Sequence, residues 1–411
     1  MAEREVDHLL IGGGLASANC ARWLREAGGP DSSIMLVGRE LDPPYNRPPL
    51  TKGYLRGEES KEEVLFRPDE WWREQSIELL TRTTVTKLDV EARVATLSNK
   101  DTVRFDKALL ATGANVRRLP VEGGELEGIH YMRTFLTSEE IRADVENAER
   151  VVLVGGSYIG CECAASITAA YGARCSIVMQ ESETFDRQFG SKVGGYFHRV
   201  LEEHGVEIHG NDELDRFEGE DGRVTRVHTK GGLEIDCDAV IIGAGVMPDV
   251  TLARAAGVEI GERGGVRCSS RLETSVPGIF AAGDMCEYDS VVHGHPLRIE
   301  HWDVAFNQGK TAALNMLGQN VDHDVIPYFF SDLADWTSME YVGPGQGEAV
   351  IRGSLDDGDF TAFYVGDGGA VTAALTVGRS DDLEHARRFI RDKAKPDPSA
   401  LADEATDLSA L

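Results

Sequence analysis

A mostly apolar stretch beginning at Val6 runs into a glycine turn that ends at Gly14. Leu15, Ala18, Ala21 and Leu24 then recur at helical spacing, and a second apolar run follows at Ile34 to Val37. Short apolar runs bounded by glycine read as buried strands, and the three- and four-residue spacing reads as a one-sided helix, so this stretch predicts a strand-helix-strand unit. The pattern returns at Arg150, where ERVVLVGGSYIG leads into an alanine-rich helix and then an apolar run from Cys175 to Met179. Two well-separated units of this kind predict two nucleotide-binding lobes.

Between them, Leu80 to Val103 alternates apolar and polar residues as short antiparallel strands do, and it ends in FDKALLATGAN. The second unit has an echo: strands around Val206 and Val224, then CDAVIIGAGVMPD, whose Gly243 and Gly245 join the candidate cofactor residues. From Asp332 the pattern shifts to short strands at Gly347 to Gly353, Phe360 to Val365 and Ala370 to Val377, with one helix from about Asp381. The tail from Pro396 is acidic and proline-bearing, and is expected to be disordered.

The first glycine cluster, Gly12, Gly13, Gly14, Leu15, Ala16 and Ser17, is a turn that lets backbone approach a pyrophosphate at the positive end of a helix. Glu40 is the candidate acid for a ribose, although Arg39 stands where that acid is often found. The second cluster is Gly155, Gly156, Ser157, Tyr158, Ile159 and Gly160, with Ser157 replacing the middle glycine. Close helix-strand packing is the plainer reading of either cluster alone. Ala111, Thr112 and Gly113 end an apolar strand, and Asp284 follows a buried strand and a glycine in SVPGIFAAGDM. An aspartate there either accepts a hydroxyl of a bound flavin's ribityl chain or caps the next helix.

With these elements in place, the sequence resembles the FAD-dependent NAD(P)H reductases of the glutathione-reductase fold, in the ferredoxin reductase branch. The likeness spans nearly the whole chain, and its most specific part is Pro44 to Lys52, which looks like the branch's PYxRPPLSK stretch. The resemblance implies that Arg47 contacts FAD, that Lys52 reaches the flavin N5 edge, and that Glu162 pairs with Lys52 near the nicotinamide. An ordinary surface or capping role is the rival reading for these charges. Glu300, His301 and Trp302 look like the segment lying along the isoalloxazine, though His301 could equally be a core histidine. Tyr328 to Asp332 resembles the motif YFWSD, with Phe330 where tryptophan is common, so Phe330 is expected to alter access to the flavin.

The implied fold is α/β: two Rossmann-like dinucleotide-binding domains of glutathione-reductase type plus a C-terminal α+β domain. Residues 1–114 and 244–325 are expected to bind FAD, 115–243 to bind NAD(P)H, and 326–411 to form the C-terminal domain. Glu181 follows the second strand of the second unit, and an acid there favours a free ribose 2′-hydroxyl, which points to NADH. Arg187, if its loop folds back, could instead accept the 2′-phosphate of NADPH.

Composition narrows the function. Acidic residues outnumber basic ones 70 to 42, a formal charge of −28. Such a charge repels polyanions and excludes a nucleic-acid or anionic-membrane role. With neither a basic leader nor a long apolar run, the expected setting is cytoplasmic. Seven cysteines include no CxxC or CxxxxC, and Cys161 and Cys163 on one helix would project about 200° apart, so no redox disulfide is spelled out. His293 and His295 form no metal set, and no metal is expected.

The resulting expectation is an NADH-dependent reductase that passes single electrons to a [2Fe-2S] ferredoxin serving a cytochrome P450 or Rieske oxygenase, as monomer or homodimer. The alternatives are an NADH oxidase or diaphorase, a rubredoxin reductase, and an NADH-sensing flavoprotein like apoptosis-inducing factor. Docking an acidic carrier on an acidic chain calls for a local basic patch. Arg387, Arg388, Arg391, Lys393 and Lys395 form the densest basic run, and Arg298 and Lys310 flank the expected flavin segment. A solvated helix face is the plainer reading of the run.

Overall fold

The computed structural model describes residues 3–345 and 347–411, which divide into two compact units. The first comprises the chain up to Asn46 together with Glu62–Asn115 and Val246–Pro327. Strand Glu3–Ile11 lies at the heart of its seven-stranded sheet, parallel to Ile34–Val37 on one side and Thr102–Leu110 on the other. Ile77–Leu80 extends the sheet beyond Ile34–Val37, and Ile279–Ala281 pairs in parallel with Thr102–Leu110. Leu9, Leu10, Leu36 and Leu109 are fully buried, as both faces of a parallel sheet require. The alternating stretch forms Val85–Asp89 and Val94–Leu97, an antiparallel addition to the same sheet.

The second unit comprises Arg47–Lys61, Val116–Gly245 and Tyr328–Leu411. Its five-stranded parallel sheet runs Glu207–His209, Arg174–Val178, Arg150–Val154, Ala239–Ile242, Ile129–His130, flanked by helix Tyr158–Tyr171. A five-stranded antiparallel sheet is built from Tyr328–Leu333, Thr337–Val342, Glu348–Ser354, Asp359–Val365 and Val371–Val377. Helix Asp382–Asp392 buries Leu383, Ala386, Phe389 and Ile390 beneath its charged face. Aromatic contacts link helices beside the parallel sheet to the antiparallel sheet and its first turn: Tyr158 packs edge-on against Phe329, Tyr196 against Phe360, and His204 stacks on Trp336.

Two expectations differ from the structure. The stretch Arg47–Lys61, expected in the FAD domain, clusters with the second unit. Ser138 donates to the carbonyl of Leu50, Ser166 to that of Thr51 and Tyr171 to that of Leu55, so three side chains of the second unit satisfy its backbone. The tail is also not disordered. Pro398–Ala402 is helical and Leu408–Ala410 forms a 3-10 turn, with Leu401 and Leu408 buried. Buried Arg352 donates to the carbonyls of Leu401, Asp403, Glu404 and Thr406, a long-range anchor that tail composition does not reveal. Among the described residues no helix is long and apolar enough to cross a membrane.

Candidate cofactor sites

In the first unit, Gly12 bonds to the carbonyl of Val37, and the turn delivers the chain into helix Leu15–Gly28. No side chain caps that helix, which leaves the amide groups around Leu15 and Ala16 able to meet an anion. A Cβ built on Gly14 would have no heavy atom within 4 Å, so the turn is open on the side a pyrophosphate would approach. Ser17 is buried. The tight helix approach falls at Gly309 on helix Trp302–Met316, where a Cβ would stand 2.4 Å from the carbonyl oxygen of Ala16.

The other flavin candidates of the first unit are held by contacts within it. Glu40 accepts from the Tyr45 hydroxyl at 2.5 Å, while Arg39 reaches Asn115 at 2.5 Å and Asp249 at 3.2 Å. Ala111 continues the sheet through the Ile11 carbonyl, Thr112 donates to the Asp249 carbonyl at 2.6 Å, and the Gly113 carbonyl accepts from Asp249 N–H. Asp284 follows Ile279–Ala281. The adjacent Gly283 donates to Gln308 Oε1, and Gln308 Nε2 is buried without a protein partner. Trp302 stacks on Phe306 and donates to Asn46, and Glu300 pairs with Arg298. Burial pushes His301 down to about 4, so it is neutral at pH 7. The open turn, the uncapped helix ends of Leu15–Gly28 and Trp302–Met316 and the unsatisfied Gln308 amide fit a flavin dinucleotide.

In the second unit the glycine turn is tighter. A Cβ on Gly160 would stand 1.9 Å from the Gly155 carbonyl oxygen, and Gly156 packs against Met179. Ser157 precedes helix Tyr158–Tyr171 without capping it. Tyr158 joins Phe185, Phe189 and Phe329, Ile159 faces Gly243, and Gly245 accepts from Arg117 N–H. The loop after strand Arg174–Val178 does fold back: Arg187 pairs with Glu181 and also donates to Gln180 at 3.1 Å.

The second unit also brings together two residues 110 positions apart in the chain. Lys52 Nζ lies 2.6 Å from Glu162 Oε1, with both residues buried. Two hydroxyls complete the carboxylate, from Thr51 and Ser331, each at 2.5 Å. Burial raises the neighbouring Asp332 carboxyl, an effect that Lys52 opposes. Arg47 donates to the Arg133 carbonyl at 2.6 Å. Phe330 is 43% exposed on strand Tyr328–Leu333. Thr51 and Ser331 lie within the stretches Pro44 to Lys52 and Tyr328 to Asp332, but nothing local in the sequence links either to Glu162.

All seven cysteines are buried and unpaired. Burial raises the thiols of Cys175 and Cys237 to about 12 and those of Cys20, Cys161, Cys163 and Cys286 well above their usual range, which makes these six poor nucleophiles. No metal-binding cluster of histidine, cysteine or carboxylate side chains occurs among the described residues; His293 bonds instead to Ser290.

Residues 6–309 match the pyridine nucleotide-disulphide oxidoreductase family, and residues 328–411 match the reductase C-terminal family. The ferredoxin–NAD(+) reductase component of an anthranilate 1,2-dioxygenase system from Burkholderia cepacia is 33% identical over 97% of this chain and 98% of its own length. Putidaredoxin reductase of Pseudomonas putida is 31% identical over 98% and 96%. Among solved structures, the covalent complex of putidaredoxin reductase with putidaredoxin aligns with a TM-score of 0.92 at 31% identity, covering 98% of this chain and 97% of that one. A ferredoxin reductase of a cytochrome P450 system from Rhodopseudomonas palustris gives the same TM-score and identity over 98% and 99%.

Proposed function

Because the chain belongs to the pyridine nucleotide-disulphide oxidoreductase family, it is an FAD- and NAD(P)H-dependent reductase, and we propose that it takes hydride from NADH and delivers single electrons to a [2Fe-2S] ferredoxin of an oxygenase system. The observation that carries outward delivery is the burial of every thiol. Dithiol enzymes of this fold relay electrons through paired cysteines, and this chain offers no such pair.

The first unit is the proposed FAD lobe. Its residues would hold the pyrophosphate at Gly12, Gly14, Leu15 and Ala16, the ribose near Arg39 and Glu40, and the ribityl chain at Asp284, with Ala111 to Gly113 and Glu300 to Trp302 lining the remainder. The bound flavin supplies hydride acceptance and one-electron release. In the second unit, the turn from Gly155 to Ile159 with Gly243 and Gly245 is the proposed nicotinamide cradle, and Glu181 the ribose acceptor. Lys52 is assigned to the flavin N5 edge on the strength of its motif. Glu162 pairs with that buried ammonium and fixes its position.

Stopped-flow reduction by NADH and NADPH, followed by reoxidation with ferredoxins, rubredoxins and oxygen, tests the assignment. Fast reoxidation by a [2Fe-2S] ferredoxin and slow reoxidation by oxygen is the expected result. Oxygen alone turning the enzyme over at full rate would replace the proposal with an oxidase.

A further inference from the structure

Glu162 is held from three directions by residues far apart in sequence. Its Oε1 receives Lys52 Nζ at 2.6 Å and Ser331 Oγ at 2.5 Å, while Oε2 receives Thr51 Oγ1 at 2.5 Å. All four side chains are buried. The Thr51 hydroxyl also lies 3.2 Å from the Pro48 carbonyl, but it has one proton, and the shorter, charge-assisted bond to the carboxylate takes it.

The terminal torsion of a glutamate is broad, so an ammonium on a single oxygen does not define the plane of the carboxylate. A hydroxyl on each oxygen does. Each hydroxyl is itself on a fixed support. Thr51 ends the short turn Pro48–Thr51, and its carbonyl accepts from Ser166 at 2.7 Å. Ser331 lies in strand Tyr328–Leu333, in register with Met339 of the neighbouring strand.

We propose that Thr51 and Ser331 are positioning residues: by fixing the carboxylate plane of Glu162 they set where the Lys52 ammonium stands during hydride transfer. Ser331 thereby makes the chemistry depend on the C-terminal sheet. The inference rests on the assignment of Lys52 and Glu162 to the redox site.

The test uses the FAD-loaded enzyme carrying Thr51→Val, Ser331→Ala, both together, Thr51→Ser and Glu162→Gln. Each single hydroxyl deletion should lower the rate of flavin reduction at saturating NADH by about tenfold, the worth of one charge-assisted hydrogen bond, and leave the NADH dissociation constant and FAD content unchanged. Thr51→Ser should restore the rate. Crystal structures of the deletion variants should show the Glu162 carboxylate rotated away from the plane it shares with Lys52. Wild-type rates and an unmoved carboxylate in the double variant would overturn the proposal, as would a rate loss that tracks lost FAD. If Glu162→Gln itself reduces at full rate, the site assignment falls and takes the proposal with it. If Glu162→Gln is slow while the hydroxyl variants are not, only the proposal falls.

Discussion

The guanidinium of Arg187 closes onto the carboxylate of Glu181, in the loop that follows strand Arg174–Val178. The arginine of this loop is thereby committed to an acid, and a 2′-phosphate bound here would meet Glu181 head-on. NADH should be preferred in kcat/KM. Glu181→Gln should shift the NADH to NADPH ratio toward NADPH by about tenfold or more, since like charges in contact cost several kcal/mol. An unchanged ratio in steady-state assays with both nucleotides would place the discrimination elsewhere.

Lys52 and Glu162 should couple strongly in stability. Removing one partner of a buried ion pair strands the other charge, so Lys52→Met and Glu162→Met should each destabilise by about 3 kcal/mol or more. The double variant should recover most of that loss while flavin reduction stays impaired. Thermal melts with parallel stopped-flow traces separate the two effects, and a double variant as unstable as the singles would refute the coupling.

Two glycines should fail differently. Gly160→Ala drives a methyl against the Gly155 carbonyl and should disrupt the second unit, read as poor soluble yield or a lowered melting temperature. Gly14→Ala has room in the protein alone, so it should fold and yet purify with little FAD. Flavin absorbance per chain and circular dichroism distinguish these outcomes.

Stability should weaken in acid for a named reason. Burial holds His301 and His323 down to about 4, against an ordinary value near 6.5. Between those values the unfolded chain binds more protons than the folded one, so stability is full above pH 6.5 and falls as pH drops toward 4, by about 1.4 kcal/mol per pH unit for each histidine. His323, which hydrogen-bonds Thr311 and packs edge-on against Tyr288, lies outside the proposed sites. In denaturant titrations across pH, His323→Gln should flatten the acid slope; an unaltered slope would exclude His323 as a contributor.

Ferredoxin reduction should weaken as salt rises, because a net charge of −28 leaves only local positive patches to attract an acidic carrier. Part of the basic run is already committed: Arg387 pairs with Glu384 and Arg388 donates to the Leu408 carbonyl. Lys393 and Lys395 are exposed, so Lys393→Glu with Lys395→Glu should raise the ferredoxin KM and leave reduction by NADH untouched. A salt-independent KM would count against electrostatic docking.

The sequence by itself determined what local rules determine. Apolar runs ending in glycine at Gly12 and Gly155 specified two parallel-sheet lobes, because a strand-turn-helix unit is written within some thirty contiguous residues. The short strands after Asp332 and the helix near Asp381 were equally legible from their periodicity. The absence of spaced cysteine pairs already pointed away from a dithiol relay. Tertiary structure decided the rest. Arg187 turned back onto Glu181 through a loop whose path no periodicity encodes. An acidic, proline-bearing tail became ordered because one distant arginine, Arg352, gathers its carbonyls. And the carboxylate of Glu162 acquired Lys52, Thr51 and Ser331 from segments up to 169 positions away, a convergence set by burial and by the need of a buried charge for donors, neither of which is visible along the chain.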